Sequence, residues 1–336
     1  MRPDALLTPR GRLRRLAAHV LGHYALHAPR IAVLSTKEHA LLRVDAHVPD
    51  HPSPERFALR LYDPQAFHEP SVVTELAWLA ALRRDTGLVV PEPVLTRAGE
   101  RLLKLEVAGH EAPRAAALFR WVDGRRRKAS LTPAALASVG RFVAHLHQHA
   151  AGFVPRVGQA GQRWDWERVF GNGSPVAPES DDPLLSGEQR RLFDATAARL
   201  HVVMKQLGRS PDVWGLIHAD LHSSNYLFWG AEVRAIDFED CGWGYFLYDL
   251  AVILDELYAA YAPRAIALRA GLLRGYREVR EVTDEQEALL DVFVAMRLAE
   301  LVRWHGRSDD PAHHAAVPQL LTEAVHHMRQ LDLSAS

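Results

Sequence analysis

The chain has 336 residues, of which 48% are hydrophobic and 24% charged, a balance typical of folded proteins that bury a sizeable core. Its formal net charge of −1 excludes a general attraction to nucleic acids or anionic lipids, so partners must be recognised locally. A single cysteine, Cys241, excludes an intramolecular disulfide framework and a cysteine-rich zinc site.

The first segment, residues 1–24, carries arginines among leucines and valines with the 3.6-residue periodicity of an amphipathic helix. It lacks the uninterrupted apolar run of a secretion signal. No apolar run elsewhere approaches the roughly 18 residues needed to span a bilayer. We therefore expect a cytoplasmic protein with neither a membrane partner nor a nucleic-acid partner.

The first third of the chain alternates short β-type runs with one helical pattern. The predicted strands are Ile31 to Leu34, Ala40 to Val44, Phe57 to Tyr62, Val94 to Leu95, Leu102 to Val107 and Ala116 to Val122, and the predicted helix runs from Glu69 to Arg84. Turn-forming prolines separate the second and third strands. The pattern predicts a small α+β lobe that begins as a β-meander.

From Thr132 onward the hydrophobic periodicity becomes mainly helical. Helices are predicted after Thr132, from Glu188 to Gln206 and over residues 246–330, whereas residues 151–185 are predicted to be irregular because they are rich in Gly, Pro, Ser and Asp. Between these helices, Tyr226 to Trp229 and Val233 to Ile236 flank Gly230 as a predicted β-hairpin. This hairpin would place Asn225 and Asp237 at neighbouring strand ends.

The segment from Ile217 to Asn225 carries the main functional signal. It has the form H-x-D-L-x-x-x-N, and twelve residues later Asp237 follows an apolar run. Phosphoryl transfer requires a group that accepts the hydroxyl proton and oxygen ligands that hold Mg²⁺ on the phosphates. Asp220 suits the first task, and Asn225 and Asp237 suit the second. The pattern thus predicts ATP and Mg²⁺ as cofactors, with His218 fastening the loop.

The sequence resembles the aminoglycoside phosphotransferase and choline kinase family, the small-molecule branch of the protein-kinase-like fold. The resemblance rests on residues 213–225, on Ile-Asp-Phe-Glu-Asp at 236–240 and on Tyr-Asp-Leu-Ala at 248–251. His222 favours this branch over eukaryotic-type protein kinases. Weaker likeness in the first lobe extends the resemblance over most of residues 30–255.

The resemblance implies a bilobal α+β fold with a strand-rich nucleotide-binding lobe and a larger, mainly helical lobe. The expected boundaries are 1–116 for the first lobe with its leading helix, 117–123 for the hinge, and 124–336 for the lobe with the catalytic loop and acceptor site. Leu118, Phe119 and Arg120 are implied to contact adenine where the lobes join. The structural alternative for these three residues is a core strand.

The resemblance also implies residue roles. Asp220 would be the catalytic base, Asn225 and Asp237 the magnesium ligands, and Asp249 a support of the catalytic loop from the following helix. Glu75 would pair with a cation on the third strand. That cation is normally lysine and is Arg60 here, whose guanidinium can grip phosphate bidentately. The loop at residues 35–39, which would cover the phosphates, contains no glycine.

Four further signals have two interpretations each. Of His145, His147 and His149 only the outer two share a helix face, so they are predicted to be ordinary helix residues and not metal ligands. The basic run 125–128 is predicted to be a solvated turn, with phosphate recognition as the alternative. The Trp164 to Trp166 segment is predicted to pack, with an acceptor pocket as the alternative. Asp240 is predicted to be a turn residue, with a third metal ligand as the alternative.

The sequence predicts an ATP- and Mg²⁺-dependent phosphotransferase that acts on the hydroxyl of a small molecule, such as an aminoglycoside, choline, homoserine or a sugar. A cationic acceptor would require an acidic pocket, for which the later helices offer Asp255, Glu256, Glu285 and Glu300. One alternative is a bacterial serine/threonine protein kinase of the stress-response type, with a protein acceptor. Another is a nucleotide-binding pseudokinase regulator, suggested by Arg60 and the glycine-free loop.

Overall fold

The structure is a computed structural model that describes residues 8–37, 39–106, 113–127, 131–154, 161–178 and 180–331. The chain divides into two compact units, residues 1–123 and 124–336. The first is built on a sheet and the second is mainly helical, which confirms the predicted α+β class. Among the described residues, no helix is both long and apolar enough to cross a membrane.

The first unit contains one antiparallel sheet of five strands in the order β1-β2-β3-β5-β4. Its elements are α1 (Pro9–Leu21), β1 (His27–Thr36), β2 (Ala40–His47), β3 (Glu55–Leu61), α2 (Glu69–Asp85), β4 (Leu103–Leu105) and β5 (Arg114–Arg120). The first three strands pair in chain order, so the predicted meander is confirmed. The first four residues of the predicted hinge, 117–120, belong to β5.

The two faces of this sheet follow from the two-residue period of its strands. Leu42 and Leu59 are fully buried on one face, in a core that also includes Val20 of α1. The neighbouring Arg60 points to the opposite face, where it meets Glu75 of α2. The strand therefore supplies apolar packing on one side and a buried ion pair on the other.

The prediction of a strand at Val94 to Leu95 was wrong. Val94 donates its N–H to the carbonyl of Leu118 at 2.7 Å, and Pro93 forms an isolated bridge with Phe119. Pro91 and Pro93 have no N–H to donate to a ladder, so only single contacts with β5 form. Val107, at the end of another predicted strand, lies outside the described residues.

The second unit contains seven helices and five short strands among its described residues. They are α3 (Pro133–Gly152), β6 (Arg163–Trp164), α4 (Trp166–Phe170), α5 (Gly187–Leu207), β7 (Trp214–Ile217), β8 (Tyr226–Trp229), β9 (Glu232–Ala235), β10 (Gly242–Tyr245), α6 (Phe246–Tyr261), α7 (Ala265–Arg277), α8 (Asp284–Arg307) and α9 (Pro311–Met328). The predicted hairpin is confirmed as β8-β9, and Gly230 in its turn adopts a φ of 61°.

A three-stranded sheet, ordered β6-β10-β7, was not predicted. Strand β10 contains Gly242 and Gly244, which weaken a strand pattern in sequence. The structure gives the reason for both: a Cβ on Gly244 would lie 2.4 Å from Ile217 Cδ1, and one on Gly242 would lie 2.6 Å from the Gln162 carbonyl oxygen. Strand β6 and helix α4 also lie in the segment predicted to be irregular.

Helices α3 and α7 approach each other through glycine. A Cβ on Gly140 of α3 would lie 2.0 Å from the Leu272 carbonyl oxygen, and one on Gly275 of α7 would lie 1.8 Å from the Ala137 carbonyl oxygen. Both distances are far below van der Waals contact, so the two backbones touch where no side chain fits. This contact fixes the spacing of two helices that support the site described below.

We expect Gly275→Ala to lower the free energy of unfolding by roughly 1–3 kcal/mol, the usual cost of an overpacked core. Helix propensity acts in the opposite direction, because alanine is more favourable than glycine in a helix interior by about 1 kcal/mol. We expect the steric clash of the new Cβ to outweigh this gain. Gly187→Ala, at the start of α5 with nothing within 4 Å of the new Cβ, is the matched control and should change stability by no more than about 0.5 kcal/mol. Urea unfolding measures both; an unchanged or raised stability of Gly275→Ala would contradict the close contact.

Candidate active site

The carboxylate of Asp249 holds the start of the segment from Ile217 to Asn225, which is the predicted catalytic loop. Asp249 lies on α6 and is fully buried, and its two oxygens accept the backbone N–H groups of His218 at 2.9 Å and Ala219 at 2.6 Å. Ala219 has a φ of 68°, a left-handed conformation that costs free energy in a residue with a Cβ. The two hydrogen bonds offset that cost, so the carboxylate determines the path of the loop into Asp220.

Asp249 is itself held by His147, which sequence reasoning missed. His147 is fully buried on α3; its Nε2 lies 3.0 Å from Asp249 Oδ2 and its Nδ1 lies 2.8 Å from the Tyr276 hydroxyl on α7. Neutral His147 satisfies both contacts if Nε2 carries the proton. The alternation of histidines in the sequence indicates only which of them share a helix face. It does not indicate that His147 has a partner about 100 residues away.

The electrostatics of this pair follow from burial. Burial lowers the pKa of His147 below its ordinary value and outweighs the opposing attraction of Asp249. For Asp249 burial alone would raise the pKa, but the hydrogen bonds and charge interactions with His147 and His218 lower it. At neutral pH the pair is therefore a neutral imidazole that donates to an ionised carboxylate.

Two further contacts fix the middle of the loop. His218 is fully buried and its Nε2 lies 3.0 Å from the carbonyl oxygen of Ile236, which joins the loop to the end of β9. Glu256 of α6 accepts the N–H of Ser223 at 2.6 Å and also the Ser223 hydroxyl. The structural role predicted for His218 thus has a geometric basis, and Glu256 holds the loop through its hydrogen bonds to Ser223.

Asp220 lies at the centre of this network with both carboxylate oxygens in contact. Oδ1 accepts from Arg297 Nη2 at 2.7 Å, and Oδ2 accepts from Asn225 Nδ2 at 3.1 Å, with His222 Nε2 at 3.4 Å. Burial would raise the pKa of Asp220, but His222, the charge of Arg297 and His218 outweigh it and lower the pKa to about 2. Asp220 is therefore an ionised hydrogen-bond acceptor across the physiological range.

Asn225 and Asp237 lie at paired strand ends, as the hairpin predicts. The N–H of Ile236 donates to the carbonyl oxygen of Asn225 at 2.9 Å, and Asp237, with a φ of 65°, follows directly. Asn225 directs its Nδ2 to the backbone and side-chain oxygens of Asp220, which leaves its Oδ1 as the amide atom available to a cation. An amide oxygen and an exposed carboxylate are hard donors that fit Mg²⁺.

The turn before β10 contains a second carboxyl close to Asp220. Burial and the charge of Asp220 raise the pKa of Asp240 to about 7, against the opposing charge of Arg168. The Asp240 carbonyl oxygen accepts from Trp164 Nε1 at 2.8 Å, and buried Trp164 stacks on Tyr248. These contacts agree with the packing interpretation of Trp164.

The basic run after Asp123 makes more contacts than a solvated turn requires. Arg126 Nε donates to the carbonyl oxygen of Ser224 at 2.9 Å, and Arg127 Nη2 donates to that of Gly230 at 2.7 Å. Both side chains are exposed but tie the segment to the catalytic loop and to the hairpin turn. Lys128 lies outside the described residues.

The candidate nucleotide residues of the first unit form a separate group. Arg60 Nη1 lies 3.0 Å from each carboxylate oxygen of Glu75, and both residues are buried. The side chains of Leu118 and Phe119 are buried in β5, whereas Arg120 is exposed and pairs with Glu55. The ion pair expected between Arg60 and Glu75 is therefore formed, and adenine contact by 118–120 stays a prediction.

The acidic residues considered for an acceptor pocket separate into different environments. Glu256 binds the loop, Glu300 pairs with Arg168 and Arg303, and Glu285 is exposed at the start of α8. Asp255 lines a cavity of about 450 Å³ between α6, α8 and α9, together with Tyr258, Asp291, Glu323, His326 and His327 among others. Burial raises the pKa of Asp255 to about 6.

We expect His147→Gln to flatten the pH dependence of stability on the acid side of neutrality. Because folding lowers the His147 pKa, the unfolded chain binds more protons below pH 6.5, and stability falls as the pH falls through that window. One histidine contributes at most about 1.4 kcal/mol per pH unit to this slope. Urea unfolding between pH 5 and 7 measures it, with His145→Gln, an exposed residue of the same helix, as control. An unaltered slope in His147→Gln would contradict the buried neutral imidazole.

Comparisons with known proteins agree with this geometry. The model of the phosphotransferase enzyme family (APH) matches residues 48–290. One of several homoserine kinases that the chain resembles, from Nitrobacter winogradskyi, is 32% identical over a match that spans 61% of this chain and only 58% of that protein.

Two solved structures share the fold. That of a microcompartment-associated aminopropanol kinase has a TM-score of 0.74 and 27% identity, and covers 94% of this chain and 95% of its own. That of the amicoumacin kinase hAmiN, in complex with AMP-PNP, Ca²⁺ and Ami, has a TM-score of 0.73 and 18% identity and covers 98% of this chain and 97% of its own. The resemblance and the protein-kinase-like fold predicted from the sequence are confirmed. The chain therefore belongs to the phosphotransferase enzyme family and is a kinase.

Proposed function

We propose that this protein transfers the γ-phosphoryl group of ATP to the hydroxyl of a small amino alcohol in a Mg²⁺-dependent reaction. The observation that carries the proposal is the junction of loop and hairpin, where Asn225 contacts Asp220, the backbone of Ile236 bonds to Asn225, and Asp237 follows directly. Phosphoryl transfer leaves a protein little covalent work, so the positions of these groups account for most of the catalysis.

Asp220 is proposed to orient the acceptor hydroxyl and to take its proton. As the acceptor oxygen bonds to the γ-phosphorus and the bond to the β-phosphate oxygen breaks, the hydroxyl proton moves to the Asp220 carboxylate. The low pKa of Asp220 makes it a weak base, which fits a transition state in which bond breaking is advanced before the proton is lost. The group's main contribution is then the orientation of the hydroxyl.

Asn225 and Asp237 are proposed to hold Mg²⁺ through one amide oxygen and one carboxylate. The bound ion would neutralise the negative charge that the phosphates carry during transfer. The hydrogen bonds from Asn225 Nδ2 to Asp220 keep the amide in the required orientation and connect the metal ligand to the proton acceptor. The structure of hAmiN contains AMP-PNP and Ca²⁺, a cation that takes the same class of oxygen ligands as Mg²⁺.

In the first unit, Arg60 is proposed to contact the nucleotide phosphates while Glu75 holds its guanidinium in place. A bidentate guanidinium can replace the ammonium that lysine would supply, because it offers several N–H donors and keeps its charge. The backbone near Leu118, Phe119 and Arg120 is proposed to lie against adenine. The lobe boundaries at 116 and 123 remain part of this proposal.

The acceptor class is inferred from the named relatives. Homoserine and aminopropanol, named in two of them, both combine a hydroxyl with an amine. Asp240 lies close to Asp220, and a cationic acceptor bound beside it would favour the ionised form of this carboxyl, which burial disfavours. A panel of homoserine, 1-amino-2-propanol, choline and an aminoglycoside, monitored by ADP release, separates these candidates.

We expect Asp220→Asn to lower kcat by roughly 10²-fold to 10⁴-fold, the usual contribution of a positioned acid–base group. ATP binding, measured by calorimetry, should be unchanged because the amide keeps the shape of the side chain. Phosphoryl transfer from ³²P-labelled ATP to the panel gives the rate. A wild-type protein that binds ATP and transfers phosphate to none of the acceptors, as a pseudokinase regulator would, contradicts the proposed function.

We expect Asp237→Asn to raise the Mg²⁺ concentration for half-maximal activity by roughly 10-fold to 100-fold, at least the effect seen when a metal site loses a supporting group. Asp240→Asn is the comparison, because Asp240, three residues further on, is the candidate for a third metal ligand. Its Mg²⁺ dependence should match that of the wild type. A shift in Asp240→Asn with none in Asp237→Asn would exchange the two roles.

A further inference from the structure

We propose that Arg297 is a positioning residue for Asp220, which fixes the direction of the carboxylate toward the acceptor hydroxyl. The side chain of Arg297 is 11% exposed on α8, and its Nη2 donates to Asp220 Oδ1 at 2.7 Å. The inference rests on the proposed function, since it assigns Arg297 a role that acts through the proton-accepting group.

The first step of the argument is the division of partners between the two oxygens of Asp220. Oδ2 faces Asn225 and His222, and in the described part of the chain Arg297 supplies the hydrogen bond at Oδ1. A carboxylate held at one oxygen can still turn about its Cβ–Cγ bond, whereas partners at both oxygens fix its plane. Arg297 thus determines which lone pairs of Asp220 face an incoming hydroxyl.

The second step is the burial of the contact. The side chains of Arg297 and Asp220 are 11% and 23% exposed, so little water competes for their hydrogen bond. A charge-assisted hydrogen bond is about twice as strong as one between neutral groups. Arg297 therefore holds Oδ1 more firmly than the neutral amide of Asn225 holds Oδ2.

The third step is the rigidity of the helix that carries Arg297. A capping box formed by Thr283 and Gln286 closes the N-terminus of α8, and Met296 and Leu298 on either side of Arg297 are buried. Helix α8 packs against α6, which carries Asp249. Arg297, which contacts the Asp220 carboxylate, and Asp249, which holds the backbone before Asp220, therefore lie on two helices that pack together.

Three variants test the proposal: Arg297→Met, Arg297→Lys and, as matched control, Arg303→Met. Arg303 lies on the same helix, and its partner Glu300 keeps Arg168 when Arg303 is removed. We expect Arg297→Met to lower kcat by roughly 10²-fold, the scale of a misplaced catalytic group, with little change in the KM for ATP. Arg297→Lys should restore much of the rate, and Arg303→Met should stay within about twofold of the wild type.

A second readout is independent of turnover. A crystal structure of Arg297→Met should show the Asp220 carboxylate rotated about its Cβ–Cγ bond, whereas the wild type should keep Oδ1 on Arg297. If Arg297→Met does not fold, Arg297→Lys decides the question: a wild-type rate in a folded Arg297→Lys whose ammonium does not contact Asp220 would overturn the proposal.

An unchanged kcat or an unchanged orientation of the Asp220 carboxylate in folded Arg297→Met would overturn the proposal, as would an equal loss of activity in Arg303→Met. The failure of the proposed function has a different signature. A wild-type protein without phosphoryl transfer would contradict that function, whereas the crystal structure of Arg297→Met would still report whether Arg297 orients the carboxylate.

Discussion

The two hydrogen bonds from the backbone of His218 and Ala219 to the Asp249 carboxylate are the constraint on which the site depends. They hold Ala219 in a left-handed conformation that its side chain disfavours, and the chain then leaves β7 in the direction that presents Asp220. A fully buried carboxylate can do this because its charge is matched by imidazole and peptide donors. The catalytic loop is thus shaped by a residue about 30 positions further along the chain.

This constraint links the packing of the helices to the chemistry of the loop. Asp249 is hydrogen-bonded to His147 of α3, and His147 is hydrogen-bonded to Tyr276 of α7. The spacing of α3 and α7 therefore determines whether both hydrogen bonds can form. Glycines at their contact allow the backbones to touch. Gly275 contacts no reacting group. A substitution there would nevertheless affect the loop through the hydrogen-bonded side chains of Tyr276, His147 and Asp249.

Local patterns made much of the fold and the central motif predictable. The meander, the β8-β9 hairpin and the group of Asp220, Asn225 and Asp237 depend on spacing within a few residues, where strand period and turn chemistry act. His147 and Arg297 could not be found in this way, because each meets its carboxylate across 77 or more positions and no local pattern marks it. Strand β10 was missed because its glycines serve tertiary contacts and contradict strand propensity.

Amide hydrogen exchange of His218 and Ala219, measured by NMR under native conditions, tests the central claim most directly. If Asp249 holds the loop, both amides should exchange only in openings whose free energy approaches that of global unfolding, although they lie in a loop. Exchange of these two amides at the rate of exposed loop residues would contradict the account, since the carboxylate would then not fix the path of the chain into Asp220.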